Sequence, residues 1–159
     1  MQRDPGKWTE LVVRRMPPPG WFAIALIGVV LCWKLLPDGN VIPDRLRAFG
    51  FFQVFLGLAF MADVVIRFLR ARTTIHPFHT ASTLVTDGML RFSRNPIYLG
   101  FVLLLLGAAL ILGTLPGLVA IPAFMWALTR FVIRDEEAML EREFGDAYRD
   151  YKARVRRWL

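Results

Sequence analysis

The chain has 159 residues, 55% of them hydrophobic, and carries 20 Lys and Arg against 13 Asp and Glu, for a net charge of +7 and a pI near 10.5. That length suits one domain, but a mean hydropathy of +0.44 is too apolar for an ordinary soluble one. A single cysteine excludes an intrachain disulfide, and the absence of Cys/His metal spacing, a glycine-rich phosphate loop or a repeat removes the common metal, nucleotide-loop and solenoid classes.

The lead, MQRDPGKWTELVVRRMPPPGW, is long, mixed in charge and rich in proline, with no small-residue cleavage site after it. The apolar segment that follows is therefore read as a retained helix, not a signal peptide. It predicts a first membrane span over about residues 19–36, with Cys32 as a small apolar filler and Lys34 snorkelling to the headgroups. A second span is predicted over about 47–69. It contains Asp63 with Arg67 four residues on, a spacing that reads as a structural i,i+4 ion pair near the boundary. Residues 70–95 form a connection. From 95 to 129 there are then 35 residues without one Asp, Glu, Lys or Arg. At 1.5 Å per helical residue that run is roughly 50 Å long, too much for a single ~30 Å hydrocarbon core. GTLPG, at 113–117, supplies the turn of a helical hairpin with spans over about 96–112 and 115–133. These segments are apolar nearly all round, unlike the helices of a soluble bundle. In the tail, 134–159, Leu140, Phe144, Tyr148, Tyr151 and Val155 line one helix face across Gly145. Such an amphipathic helix can lie on the inner leaflet, or pack over the connection and roof a pocket. The expected fold is all-α, a single domain over 1–159 with four transmembrane helices and a cytoplasmic amphipathic tail.

Charge sets the orientation. Seventeen of the Lys and Arg flank the membrane on the side of the two termini and the 70–95 connection, and two lie on the other side. The positive-inside rule then puts both termini in the cytoplasm. The basic excess answers to topology and anionic headgroups, so no nucleic-acid partner is called for.

Two clusters carry possible chemistry. RNPIY, Arg94 to Tyr98, sets a proline at the first turn of the third helix, with Asn95 placed to cap it. The acidic triplet Asp135, Glu136 and Glu137 follows the fourth segment; taken alone, such a run is a solvated face. Together and in order, STLVTDGMLRFSRNPIYLG and DEEAMLEREFGDAYRDYKARV resemble the isoprenylcysteine carboxyl methyltransferases and their phospholipid methyltransferase relatives. The first family signature falls on Leu84, Val85, Gly88, Arg94, Asn95, Pro96, Tyr98 and Gly100. The second falls on Glu136, Glu137, Leu140, Phe144, Gly145, Tyr148, Tyr151 and Val155. Ser82, Leu90 and Arg156 depart from the prenylcysteine pattern, on its substrate side and lid, and His76 and His79 align with no family histidine.

The resemblance implies an enzyme that uses S-adenosylmethionine in a cytoplasm-facing pocket and takes a lipidic or amphipathic acceptor from the bilayer. Leu84, Val85, Gly88, Arg94, Asn95, Pro96, Tyr98, Gly100, Glu136, Glu137 and Tyr148 would line the cofactor, with Arg94, Asn95, Tyr98 and Glu137 nearest the chemistry. Arg94 suits the cofactor's carboxylate, and Glu136 and Glu137 suit its cationic groups or ribose hydroxyls. Methyl transfer from a sulfonium is an in-line displacement to which positioning contributes up to about 7–11 kcal/mol. A prenylated-cysteine carboxylate is the first-choice acceptor, with a phosphatidylethanolamine-type amine or a thiol as alternatives. An NADPH-dependent sterol-reductase-like enzyme and a non-catalytic membrane scaffold rank lower. The expected location is a bacterial inner membrane.

Overall fold

The computed structural model describes residues 16–70 and 84–159. His76, His79 and Ser82 lie outside the described residues. Helix α1, Pro18–Leu35, starts on a proline, whose missing N–H falls among the first-turn donors that have no helical partner in any case. A 3-10 turn, Pro37–Gly39, leads to α2, Asp44–Arg70, with Asp44 in its first turn and Arg67 and Arg70 in its last, charges that complement the helix dipole. After a 3-10 turn at Gly88–Arg91 comes α3, Pro96–Leu112. A further 3-10 turn, Pro116–Val119, runs into α4, Ala120–Leu128, then a π turn, Thr129–Ile133, then α5, Arg134–Phe144. The last helix is α6, Asp146–Arg154.

Three of these stretches are long and apolar enough to cross a membrane: α1, α2, and the continuous 29-residue rod Pro116–Phe144. Helix α3 is equally apolar but has 17 residues, a rise of about 25 Å. The helix itself runs on past 133, where the last span was expected to end. Arg134 to Phe144 holds good helix formers and no glycine or proline, so the rod passes through the acidic triplet unbroken. The tail breaks instead at Gly145, whose φ of +53° favours a residue without Cβ.

Side chains that face outward are those of a protein dissolved in lipid. Phe51 and Phe55 are 66% and 68% exposed, and Ile24, Ile27, Phe49, Phe52, Leu58, Val119 and Trp126 also lie open. In water, apolar surface on this scale would aggregate; in a bilayer it meets its own kind. Inside, α3 is the axis. Helix α2 packs along one side of it, α1 and α4 along another. Phe22 of α1 stacks on Phe101 at 4.8 Å, Phe124 meets Phe101 edge-on, and Val29, Leu105, Ala109 and Leu128 complete the core.

The α2–α3 seam is made by two reciprocal glycine pairs. A Cβ on Gly57 would fall 2.8 Å from the Gly100 carbonyl oxygen, and one on Gly100 would fall 2.9 Å from that of Gly57. Gly50 and Gly107 repeat the arrangement, a Cβ on either falling 2.8 Å from the other's carbonyl oxygen. Without hydrophobic driving force between helices in lipid, such backbone contact is the main source of association. At one end of the molecule Ile42 N–H donates to the Gly113 carbonyl (3.2 Å) and Leu115 N–H to that of Gly39 (3.0 Å), tying the α1–α2 connection to the hairpin turn. The site lies at the opposite end.

Gly57→Ala and Gly100→Ala should each lower stability in detergent by about 1–3 kcal/mol, because the clash is with backbone and the helices must part. Gly28→Ala meets nothing within 4 Å and should leave the unfolding midpoint unchanged or raise it. Thermal unfolding of the three variants checks the contrast.

Candidate functional site

The residues before α3 are held by α2. Asp63 accepts from Arg67 Nε at 2.8 Å and from the Met89 N–H at 3.1 Å, while a second Arg67 nitrogen bonds Asp87. Asp63 is thus a structural anchor for the Gly88–Arg91 turn. Gly88 has a φ of +60° and lies beneath the Arg67 guanidinium, where a Cβ would come within 1.8 Å of Nε. Only glycine fits that turn.

Ser93, Arg94 and Asn95 then enter α3, with Pro96 at its start. Asn95 occupies the N-cap position but makes no side-chain capping bond, contrary to expectation. Its Nδ2 donates instead to the Arg157 carbonyl at 2.9 Å. Ser93 Oγ donates to the same carbonyl (3.2 Å) and accepts from the Asn95 N–H (3.1 Å), and the Arg94 N–H donates to the Arg156 carbonyl at 3.0 Å. The short strap after α6 therefore lies against the Ser-Arg-Asn corner.

The rod delivers the acids. Its π turn, stiffened by Thr129 Oγ1 donating to the Met125 carbonyl at 2.7 Å, carries an extra residue and so rotates everything after it relative to the apolar pattern before it. Glu137 ends up buried, and Arg134 and Asp135 exposed. Arg94 Nη2 lies 3.0 Å from Glu137 Oε1, both side chains being 8% exposed. Arg157 grips the same carboxylate with two donors, Nε to Oε1 at 3.0 Å and Nη2 to Oε2 at 2.6 Å. One turn along α3, the Tyr98 hydroxyl donates to Glu136 Oε1 at 2.6 Å.

The tail covers this cluster with the face expected of it. Tyr148 and Tyr151 are buried, Leu140, Phe144 and Val155 half-buried, and Tyr151 donates its hydroxyl to the Leu90 carbonyl at 2.7 Å. Burial, aided by the Glu137 charge, pushes the Tyr148 phenol up to about 12, so it remains a neutral donor.

Arg94, Asn95, Tyr98, Glu136, Glu137 and Tyr148 thus converge. Pro96 is buried beside them at the head of α3, and Leu84 and Val85 are half-buried at the start of the described connection. Of the two glycines in the first cluster, Gly88 lies under Arg67 and Gly100 against Gly57 and Met61 of α2. Arg157 and Ser93 join the cluster without having been singled out in the sequence. Arg157 entered there only as one more positive charge, and no spacing rule marks it.

One electrostatic feature stands apart. Nε and Nη1 of Arg94 are buried and have no hydrogen-bond partner among the described residues. Unpaired buried donors on a charged group are costly and uncommon. With Nη2 against Glu137, the two remaining donors open on opposite edges of the guanidinium, and each can still donate to a further acceptor.

The sequence matches the family model described as phospholipid methyltransferase over residues 46–147, which includes the Arg94–Tyr98 corner and both acids but not Tyr148 or Arg157. Protein-S-isoprenylcysteine O-methyltransferase of Schizosaccharomyces pombe is 36% identical over 72 residues, 45% of this chain and 30% of the yeast protein, so the match spans less than a third of that relative. An uncharacterized protein of Haemophilus influenzae is 43% identical over 63 residues, 40% of this chain and the whole of that protein. No solved structure matches. Matched over more than half its length, with the two signature clusters brought together at one end of an apolar helical bundle, the chain belongs to the phospholipid methyltransferase family.

Proposed function

We propose that the protein is an S-adenosylmethionine-dependent methyltransferase that crosses the membrane four times with both termini in the cytoplasm. Its acceptor is lipidic, with a prenylated-cysteine carboxylate as first choice. The observation that carries the reading is the buried Arg94, steadied by Glu137 and left with Nε and Nη1 unpaired among the described residues. The cofactor offers the matching chemistry: an α-carboxylate for Arg94, and cationic or hydroxyl groups for the acids. Its sulfonium supplies an electrophilic methyl group for in-line displacement.

The chain's own residues bind, orient and exclude water. Arg94 fixes the carboxylate end. Tyr98 holds one oxygen of Glu136 and leaves the other to face a hydroxyl or positive charge. Tyr148 and Tyr151 shield the cluster from the cytoplasm. No side chain is required as a covalent nucleophile. A carboxylate or thiolate acceptor reacts without a base, whereas an amine must lose a proton. The family model's name makes a phospholipid amine the second reading, with Glu136 the carboxylate placed to take that proton.

Calorimetry should show S-adenosylhomocysteine binding to the purified protein. Arg94→Ala and Glu137→Ala should each weaken it by at least about 30-fold, since each strips the partner from a buried charge at a cost of roughly 2 kcal/mol or more. Binding of NADPH alone would point to a reductase, and indifference to Glu137→Ala to a scaffold. Rates across pH with a prenylcysteine, a phosphatidylethanolamine and a thiol separate the acceptors. A carboxylate acceptor should give a flat profile from pH 6 to about 9, well above its own pKa, and an amine a rising one that Glu136→Gln abolishes.

A further inference from the structure

We propose that Arg157 is a positioning residue of the cofactor site, which keeps Arg94 free to bind a carboxylate by occupying Glu137 itself. The inference rests on the cofactor reading above and adds a residue that lies outside the matched family region.

A carboxylate and a guanidinium left alone prefer to pair fork to fork through two parallel bonds. Arg94 and Glu137 do not. Arg94 contributes only Nη2, at 3.0 Å from Oε1, because Arg157 holds both oxygens of the acid. Arg157 therefore takes the bidentate geometry that Arg94 would otherwise adopt. The result is the pattern on Arg94: one nitrogen anchored, two buried and unspent.

The placement of Arg157 is itself well determined. Its carbonyl accepts from Ser93 Oγ and Asn95 Nδ2, the preceding carbonyl accepts from the Arg94 N–H, and Trp158 packs against the hydrophobic core. One residue thus joins the two motif clusters, through its backbone to the Ser-Arg-Asn corner and through its side chain to the acid. Without the Arg157 side chain, Glu137 would turn both oxygens to Arg94 and, through Nη2 and its neighbour on that edge, consume one of the donors left for the ligand.

The test compares two ligands that differ by one group, S-adenosylhomocysteine and its decarboxylated analogue, by calorimetry on the full chain in detergent. Arg157→Ala should weaken S-adenosylhomocysteine by roughly tenfold or more while leaving the decarboxylated analogue within about twofold. Arg157→Lys keeps a charge on Glu137 but offers a point donor, so it should show the same selectivity with a smaller loss, and it carries the test if the alanine variant does not fold. An equal loss for both ligands would reduce Arg157 to a general structural contact and overturn the proposal. Unchanged or tighter binding of S-adenosylhomocysteine would overturn it too. If the unaltered protein binds neither ligand, the cofactor reading fails, and the inference falls with it.

Discussion

The Glu137 carboxylate, gripped between Arg94 and Arg157, is the interaction on which the polar end of this molecule depends. It joins three parts of the chain that are remote in sequence: the corner before α3, the end of the membrane rod, and the strap after α6. A lone carboxylate or guanidinium at 8% exposure would cost several kcal/mol in desolvation. Glu137 meets this cost with two guanidiniums, while the neighbouring Glu136 is held by Tyr98.

The apolar part of the fold serves to hold that cluster at a membrane surface. Lipid permits only helices and closed barrels to cross, and it removes the hydrophobic drive that would hold helices together. Close contact must replace it, which is why α2 and α3 meet through Gly50, Gly57, Gly100 and Gly107. Through that seam α2 positions Asp63, Asp63 positions the Gly88–Arg91 turn, and the turn leads into Arg94. A polar corner can thus stand at the head of an apolar helix with its geometry set by contacts on both sides.

Much of this was legible in the residues. Charge-free runs and the GTLPG turn marked the apolar segments, and the start of α3 falls at Pro96 as the proline required. The spacing of Leu140, Phe144, Tyr148, Tyr151 and Val155 named the face of the tail that is covered. Asp63 and Arg67 read as an i,i+4 pair and are one. What stayed hidden depends on tertiary placement. By local pattern Glu136 and Glu137 are a solvated run, and only the family resemblance set them at the site; the π turn that rotates them inward is announced by no local pattern. Asn95 looks like a cap because capping is a local rule, yet the Arg157 carbonyl outcompetes it. Gly100 belongs to a ligand motif on paper, but its lack of a side chain is used by a neighbouring helix. Arg157 is one arginine among many in a basic tail, and only the fold reveals which acid it meets.

The most direct measurement is an experimental structure of the protein with S-adenosylhomocysteine bound. The ligand's carboxylate should lie within hydrogen-bond distance of Arg94 at Nε or at Nη1, which open on opposite edges of the guanidinium, with Glu137 still held by Arg157 and the nucleoside near Tyr98 and Glu136. A ligand lodged elsewhere, or an Arg94 turned away from it and forked onto Glu137, would contradict the assignment.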